Sequence, residues 1–180
     1  VRLLLQSAVV PATLLAGMAL PLASAFAADQ PAAPACTVRA EPTGALAPWS
    51  RTAPFTAAGA PHQLPAAALP IGRAVDLVLQ PTPRVRFRVQ PEKPGGPVTY
   101  GGMIVFNVHQ AGTYRVALGS GAWVDMVSGS RTIASIAHGH GPACTTVRKI
   151  VDFPLTAGRH TLQIGGSATQ RIQAMLVRVP

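Results

Sequence analysis

Acidic side chains are scarce in this chain: Asp and Glu number six against 15 Lys and Arg, a formal charge of +9 over 180 residues. The field of such a chain attracts polyanions. Lysine is nearly missing as well, with Lys93 and Lys149 alone, so the charge is carried by arginine. Arginine with abundant Ala, Pro and Gly is also what GC-rich coding produces, so the charge admits a solubility role beside a dedicated anion site. Only two cysteines occur, Cys36 and Cys144, which excludes a Cys-x-x-Cys redox or zinc pair. No nucleophile elbow, P-loop, dinucleotide fingerprint or His-Glu-x-x-His is present. No window carries a sustained helical apolar stripe, which excludes a helical bundle.

The first 27 residues are an export signal by pattern. Arg2 forms a short positive region, residues 3–22 are almost wholly apolar, and Ala25-Phe26-Ala27 is a small-x-small cleavage site. The run contains Pro11 and Pro21 and has no basic stop-transfer flank, so it predicts a cleaved peptide and no transmembrane anchor afterwards. Val1 fits a non-standard start codon. Export predicts a periplasmic or secreted bacterial protein and removes nucleic acid as the default partner. It leaves an anionic glycan or lipid of the envelope, or an acidic protein. In an oxidising compartment Cys36 and Cys144 form one disulfide; a reactive Cys144 thiolate would require a reduced one.

Residues 28–45 read as a Pro/Ala-rich linker and residues 46–180 as one domain. Between 39 and 70 the prolines at 42, 48, 54, 61, 65 and 70 predict neither helix nor long strand, with Trp49 and Phe55 holding the segment to the domain surface. From Gly72 the apolar period becomes two. Val75-x-Leu77-x-Leu79, Val85-x-Phe87-x-Val89, Ile104-x-Phe106-x-Val108, Tyr114-x-Val116-x-Leu118 and Ile172-x-Ala174-x-Leu176 are examples, separated by Gly- and Pro-rich turns. Short alternating strands with such turns predict an all-β fold, an antiparallel β-sandwich or jelly roll. Ala111-Gly112-Thr113-Tyr114 echoes Ala157-Gly158-Arg159-His160, each a tight turn entering a strand that ends on Gly.

Two groups of residues are candidates for binding. Arg84, Arg86 and Arg88 fall on one face of the predicted strand, with Lys93 beyond them, a spacing suited to phosphates or uronates. The same pattern suits a solvated face or a charged edge strand. His138 and His140 share a face if extended and are two potential metal ligands; His109, His160, Asp125 and Asp152 are the residues available to complete a site. A His-Gly-His-Gly-Pro run equally suits a polar loop. Trp123 reads as core, Asp152 as a cross-strand partner of Arg148 or Lys149, and Asp125 with Asp152 as a conceivable acid pair for glycoside hydrolysis.

The runs at 91–96, 137–144 and 147–153 resemble a family of short exported bacterial proteins of unestablished biochemistry, and the likeness extends from about Cys36 to the C-terminus. The family's members carry the label homogentisate 1,2-dioxygenase. That resemblance implies a cupin fold and a non-haem iron enzyme in which His138 and His140 are iron ligands. The Glu that a cupin motif places a few residues later is replaced by Cys144, Thr145 and Thr146. The turn-plus-aromatic segments at Tyr114 and His160 also resemble corners of pre-peptidase C-terminal and carbohydrate-binding β-sandwiches. The residues taken together predict an exported β-sandwich that binds or scaffolds without a cofactor; the iron dioxygenase is the alternative.

Overall fold

The computed structural model describes residues 36–180. The expected export signal, residues 1–27, and residues 28–35 of the expected linker lie outside the described residues. Among the described residues eleven strands form two sheets. One has the order β1 (Ala53–Thr56), β2 (Ala74–Val78), β11 (Arg171–Arg178), β5 (Gly112–Leu118), β9 (Lys149–Leu155), β8 (Ala137–Gly139). The other has the order β3 (Gln80–Pro81), β4 (Tyr100–Val108), β10 (Gly158–Ser167), β6 (Trp123–Ser128), β7 (Arg131–Ile133). Among the described residues every pair of these strands is antiparallel except β1 with β2, so the all-β sandwich expected from the alternation is what forms.

The core lies between the sheets. Leu77, Val116, Phe153 and Leu176 from the six-stranded sheet meet Ile104, Phe106, Met126, Leu162 and Ile164 from the other. These are the alternating positions of the sequence, as a strand's period of two requires. The outer faces are covered too. Leu46 and Trp49 cap Ala117, Met175 and Val177 on the six-stranded sheet. Leu64 and Ala67 cap Met103 and Val105 on the five-stranded sheet. A strand buried on both faces loses its polar alternation, which is why six successive residues of β4, Gly101–Phe106 by number, are buried.

Both caps come from the proline-rich segment, which does lie over the domain surface. The expectation that it holds no helix is corrected by two 3₁₀ helices, η1 (Gly44–Ser50) and η2 (Pro61–Ala67). Pro48 and Pro65 sit inside them. A 3₁₀ turn needs few donors, and the bonds made, such as Leu46 N–H to Thr43 O and Gln63 N–H to Ala60 O, do not involve proline nitrogens.

The internal echo has a structural counterpart. Tyr114 at the start of β5 donates its hydroxyl to Gln110 O at 2.7 Å. The His160 Nε2 at the start of β10 lies 2.9 Å from Thr156 O. Each ring thus pins the carbonyl four residues upstream, once in each sheet, in the manner of a tyrosine corner. His160 is thereby a core residue, stacked on Phe106 with ring centroids 5.9 Å apart.

Cys36 and Cys144 are bridged, with Cα atoms 5.3 Å apart across a separation of 108 residues. Ala40 N–H donates to Cys144 O at 2.9 Å, so the second half of the expected linker is fastened to the domain. Among the described residues no helix is long and apolar enough to cross a membrane.

Candidate functional site

The arginine row of the sequence lies over the outer face of the five-stranded sheet. The predicted strand through Arg84, Arg86 and Arg88 does not form: residues 82–84 are a 3₁₀ turn, η3 (Thr82–Arg84), and residues 85–90 pair with no strand. The chain instead crosses the sheet as an extended strap, because its bonding partners are a loop carbonyl and a side chain. Arg86 N–H donates to Gly59 O at 2.8 Å. The buried Gln163 carboxamide, on the outer face of β10, does the rest. Its Oε1 accepts from Arg88 N–H at 2.8 Å and Val89 N–H at 3.1 Å, and its Nε2 donates to Val89 O at 2.9 Å. Further on, Gly166 N–H donates to Pro94 O at 2.9 Å. That approach requires glycines: Gly95 has φ +94°, and a Cβ on it would stand 2.6 Å from Gly166 Cα.

The alternation itself survives without a sheet. Arg84, Arg86 and Arg88 are exposed while Val85, Phe87 and Val89 are half-buried. Arg84 and Arg86 border a groove of about 560 Å³ together with His62 and Gln63 of η2. Arg88 borders a second groove of about 370 Å³ with Arg159, and its Nε donates to Gly129 O at 2.6 Å. Lys93 does not extend the arginine row. Its Nζ lies 4.7 Å from the centre of the Trp123 ring, with Lys149 Nζ at 5.8 Å from the same ring. A cation over an indole face is held by the ring quadrupole.

Trp123 is therefore not core; β6 turns it, with Asp125, onto the outer face, half-exposed. Its Nε1 donates to Asp125 Oδ1 at 3.0 Å, while Asp125 Oδ2 is buried without a partner. Burial pushes the Asp125 carboxyl above the usual aspartate range, the Trp123 hydrogen bond opposes this, and the charge of Glu92 adds to it. Lys149 is pushed down by burial and by Lys93; its Nζ donates to Ala122 O. A carboxyl raised in the folded state stabilises most below its unfolded value, and that contribution is lost as pH rises through the folded value. Asp125→Asn keeps the shape without the charge. Its melting temperature relative to the parent is expected to rise from acidic to neutral pH, measured by calorimetry; a constant difference across that range would contradict the raised carboxyl.

The candidate metal ligands are not brought together. Among the described residues no three His, Cys, Asp or Glu side chains cluster closely enough to hold a metal ion. His138 on β8 and His140 beyond it are exposed, and His140 Nδ1 lies 3.3 Å from Arg148 O. His138 pairs with Val151, so the pleat sends Asp152 to the opposite face of the sheet. There Asp152 takes a bidentate pair from Arg115 across the β5–β9 register, at 2.8 and 2.7 Å, in place of Arg148 or Lys149. The Asp152 hydrogen bond raises the Arg115 guanidinium further, against a smaller opposing effect of burial. His160 is enclosed in the core, and His109 is exposed just beyond β4. Asp125 and Asp152 occupy different sheets and face outward from both, so they do not form an acid pair. The arrangement does not fit the two-His-one-carboxylate iron set that the dioxygenase label implies.

Sequence reasoning missed Gln163, Arg159 and Arg115. The first two share the outward face of β10 with Thr161; their polar character within an apolar run was the available signal. Comparison of the chain with protein-family models and with curated proteins finds no match.

Proposed function

We propose that this chain is an exported, non-catalytic β-sandwich that binds an anionic glycan or lipid of the bacterial envelope, in the periplasm or outside the cell. The observation that carries the reading is the exposed row Arg84, Arg86 and Arg88. None of the three is in an ion pair; the ion pairs among the described residues are Arg115–Asp152 and Arg171–Asp76. Unpaired guanidiniums held on a fixed strap suit a polymer of phosphates or uronates. The disulfide fits an oxidising compartment.

The test is binding of lipopolysaccharide and of polygalacturonate to the parent and to the triple variant R84A/R86A/R88A. Parent binding is expected to weaken steeply with salt, since exposed charges are screened beyond about 8 Å at physiological ionic strength. The triple variant is expected to lose roughly tenfold or more in affinity, as charge-assisted hydrogen bonds are worth about 1.5–3 kcal/mol each. Unchanged binding by the triple variant, or no binding of either polymer by the parent, would overturn the reading.

A further inference from the structure

The second groove has a composition that a diffuse basic face does not require. It is bordered by two arginines and no carboxylate, and its other walls are Pro61, Leu64, Pro65, Val105, Gly129 and Thr161. Arg88 is held by its Nε bond to Gly129 O, and its terminal amino groups have no partner among the described residues. The Arg159 guanidinium has neither a hydrogen bond nor an ion pair among the described residues. Two like charges in one apolar-walled groove repel each other unless an anion lies between them, and the low-dielectric walls strengthen its attraction. The volume of about 370 Å³ suits one phosphate and a few carbons, not an oligosaccharide.

Arg159 also borders a neighbouring groove of about 610 Å³, whose lining is mainly apolar: Ala68, Leu69, Pro70, Ile71 and Phe106 contribute to it, with His109 at its rim. The two grooves share Pro65, Val105 and Arg159 in their linings, so an anionic head between Arg88 and Arg159 adjoins an apolar groove. We propose that these joined grooves bind the phosphate ester of a small amphiphile, the phosphate on Arg88 and Arg159 and the apolar chain along Ala68–Ile71 by number. The proposal deepens the anionic-ligand reading by naming a ligand class, and it adds a residue, Arg159, that the arginine row does not contain.

The experiment is calorimetric titration of the parent with inorganic phosphate, glycerol phosphate and dihexanoyl phosphatidic acid below its micelle concentration. Dihexanoyl phosphatidylcholine, with the same chains but a phosphodiester offset by its choline cation, serves as the control and is expected to bind more weakly than the phosphatidic acid. The parent is expected to bind the phosphatidic acid about tenfold or more tighter than either free phosphate probe, since burying even a few methylenes supplies that factor. Arg159→Ala is expected to weaken all phosphate probes by roughly tenfold. Ala68→Gln, which puts a neutral polar group at an exposed position on the apolar groove, is expected to weaken the phosphatidic acid and leave inorganic phosphate unchanged. Arg178→Ala, which removes an exposed arginine of β11 in the other sheet, is expected to alter none of these affinities by more than about twofold, the range of a screened distant charge. Equal binding of phosphatidic acid and inorganic phosphate would overturn the apolar groove. Loss in R84A/R86A but not in Arg159→Ala would overturn the site and leave only the charged face. Absence of binding by any phosphate probe would overturn the proposal even if the polyanions bind.

Discussion

Cys36→Ser is expected to lower the melting temperature by about 10 °C, and reduction of the parent is expected to do the same. The bridge spans 108 residues, and closing a loop of that length removes about 4–5 kcal/mol of unfolded-chain entropy on the loop-closure account. Native disulfides commonly deliver part of that figure, and 1 kcal/mol moves a domain of this size by roughly 2–4 °C. The fold concentrates the consequence at one place. Cys36 leads into η1, which supplies Leu46 and the buried Trp49 to the outer face of the six-stranded sheet. Trp49 Nε1 donates to Thr146 Oγ1 at 2.8 Å, two residues beyond Cys144. Without the bridge, Trp49 must hold this corner through packing, that bond and the Gln173 bond to its carbonyl. Its fluorescence is therefore expected to shift to the red at temperatures below the main transition in Cys36→Ser, and not in the parent. A thiol titration of the denatured, unreduced protein should find no free thiol. Unchanged melting on reduction would remove the disulfide from the stability of the fold.

How far the sequence reveals this arrangement depends on which contacts are local. Strands β2, β4, β5, β6, β9, β10 and β11 coincide with runs of alternating apolar residues, because one face of each packs into the inter-sheet core. The run Val85-x-Phe87-x-Val89 has the same pattern and is no strand. Period two reports that a segment is extended with one side covered, and says nothing of whether its backbone finds a partner backbone. Here the covering surface is the outer face of β10, and the partner is a side chain. Trp123 looked like core for a related reason: an aromatic in a strand pattern is assigned inward, yet Val124 and Met126 are the inward residues of β6. The candidate metal set failed on register. His138 and Asp152 are one pleat apart on neighbouring strands, a distance in face that sequence separation does not encode. Cys36 with Cys144 was legible because two cysteines permit one pairing.

Gln163 decides whether the strap, and the arginines it carries, have a fixed place. Its carboxamide accepts two bonds and donates one, so it replaces a stretch of partner strand for Arg88 and Val89. Gln163→Leu retains the volume and leaves two N–H groups and one carbonyl without partners beneath a half-buried segment. Each such loss costs about 1–3 kcal/mol, and the strap can limit it by lifting into water. The expected result is local: a cost near 3 kcal/mol confined to residues 85–90, so that hydrogen exchange at the Arg88 and Val89 amides accelerates about a hundredfold while the β10 amides keep their protection. Gln163→Glu separates acceptor from donor. It can still accept from both amides but cannot donate to Val89 O and places a charge under the strap, so its exchange is expected to fall between parent and Gln163→Leu. Gln163→Leu removes no charge, yet it is expected to weaken polyanion binding, because a loose strap must be ordered again when the arginines engage a ligand. Exchange at Arg88 and Val89 as slow as in the parent would show that the strap is held by its apolar underside, Phe87 and Val89, and that the carboxamide is only a satisfied polar group.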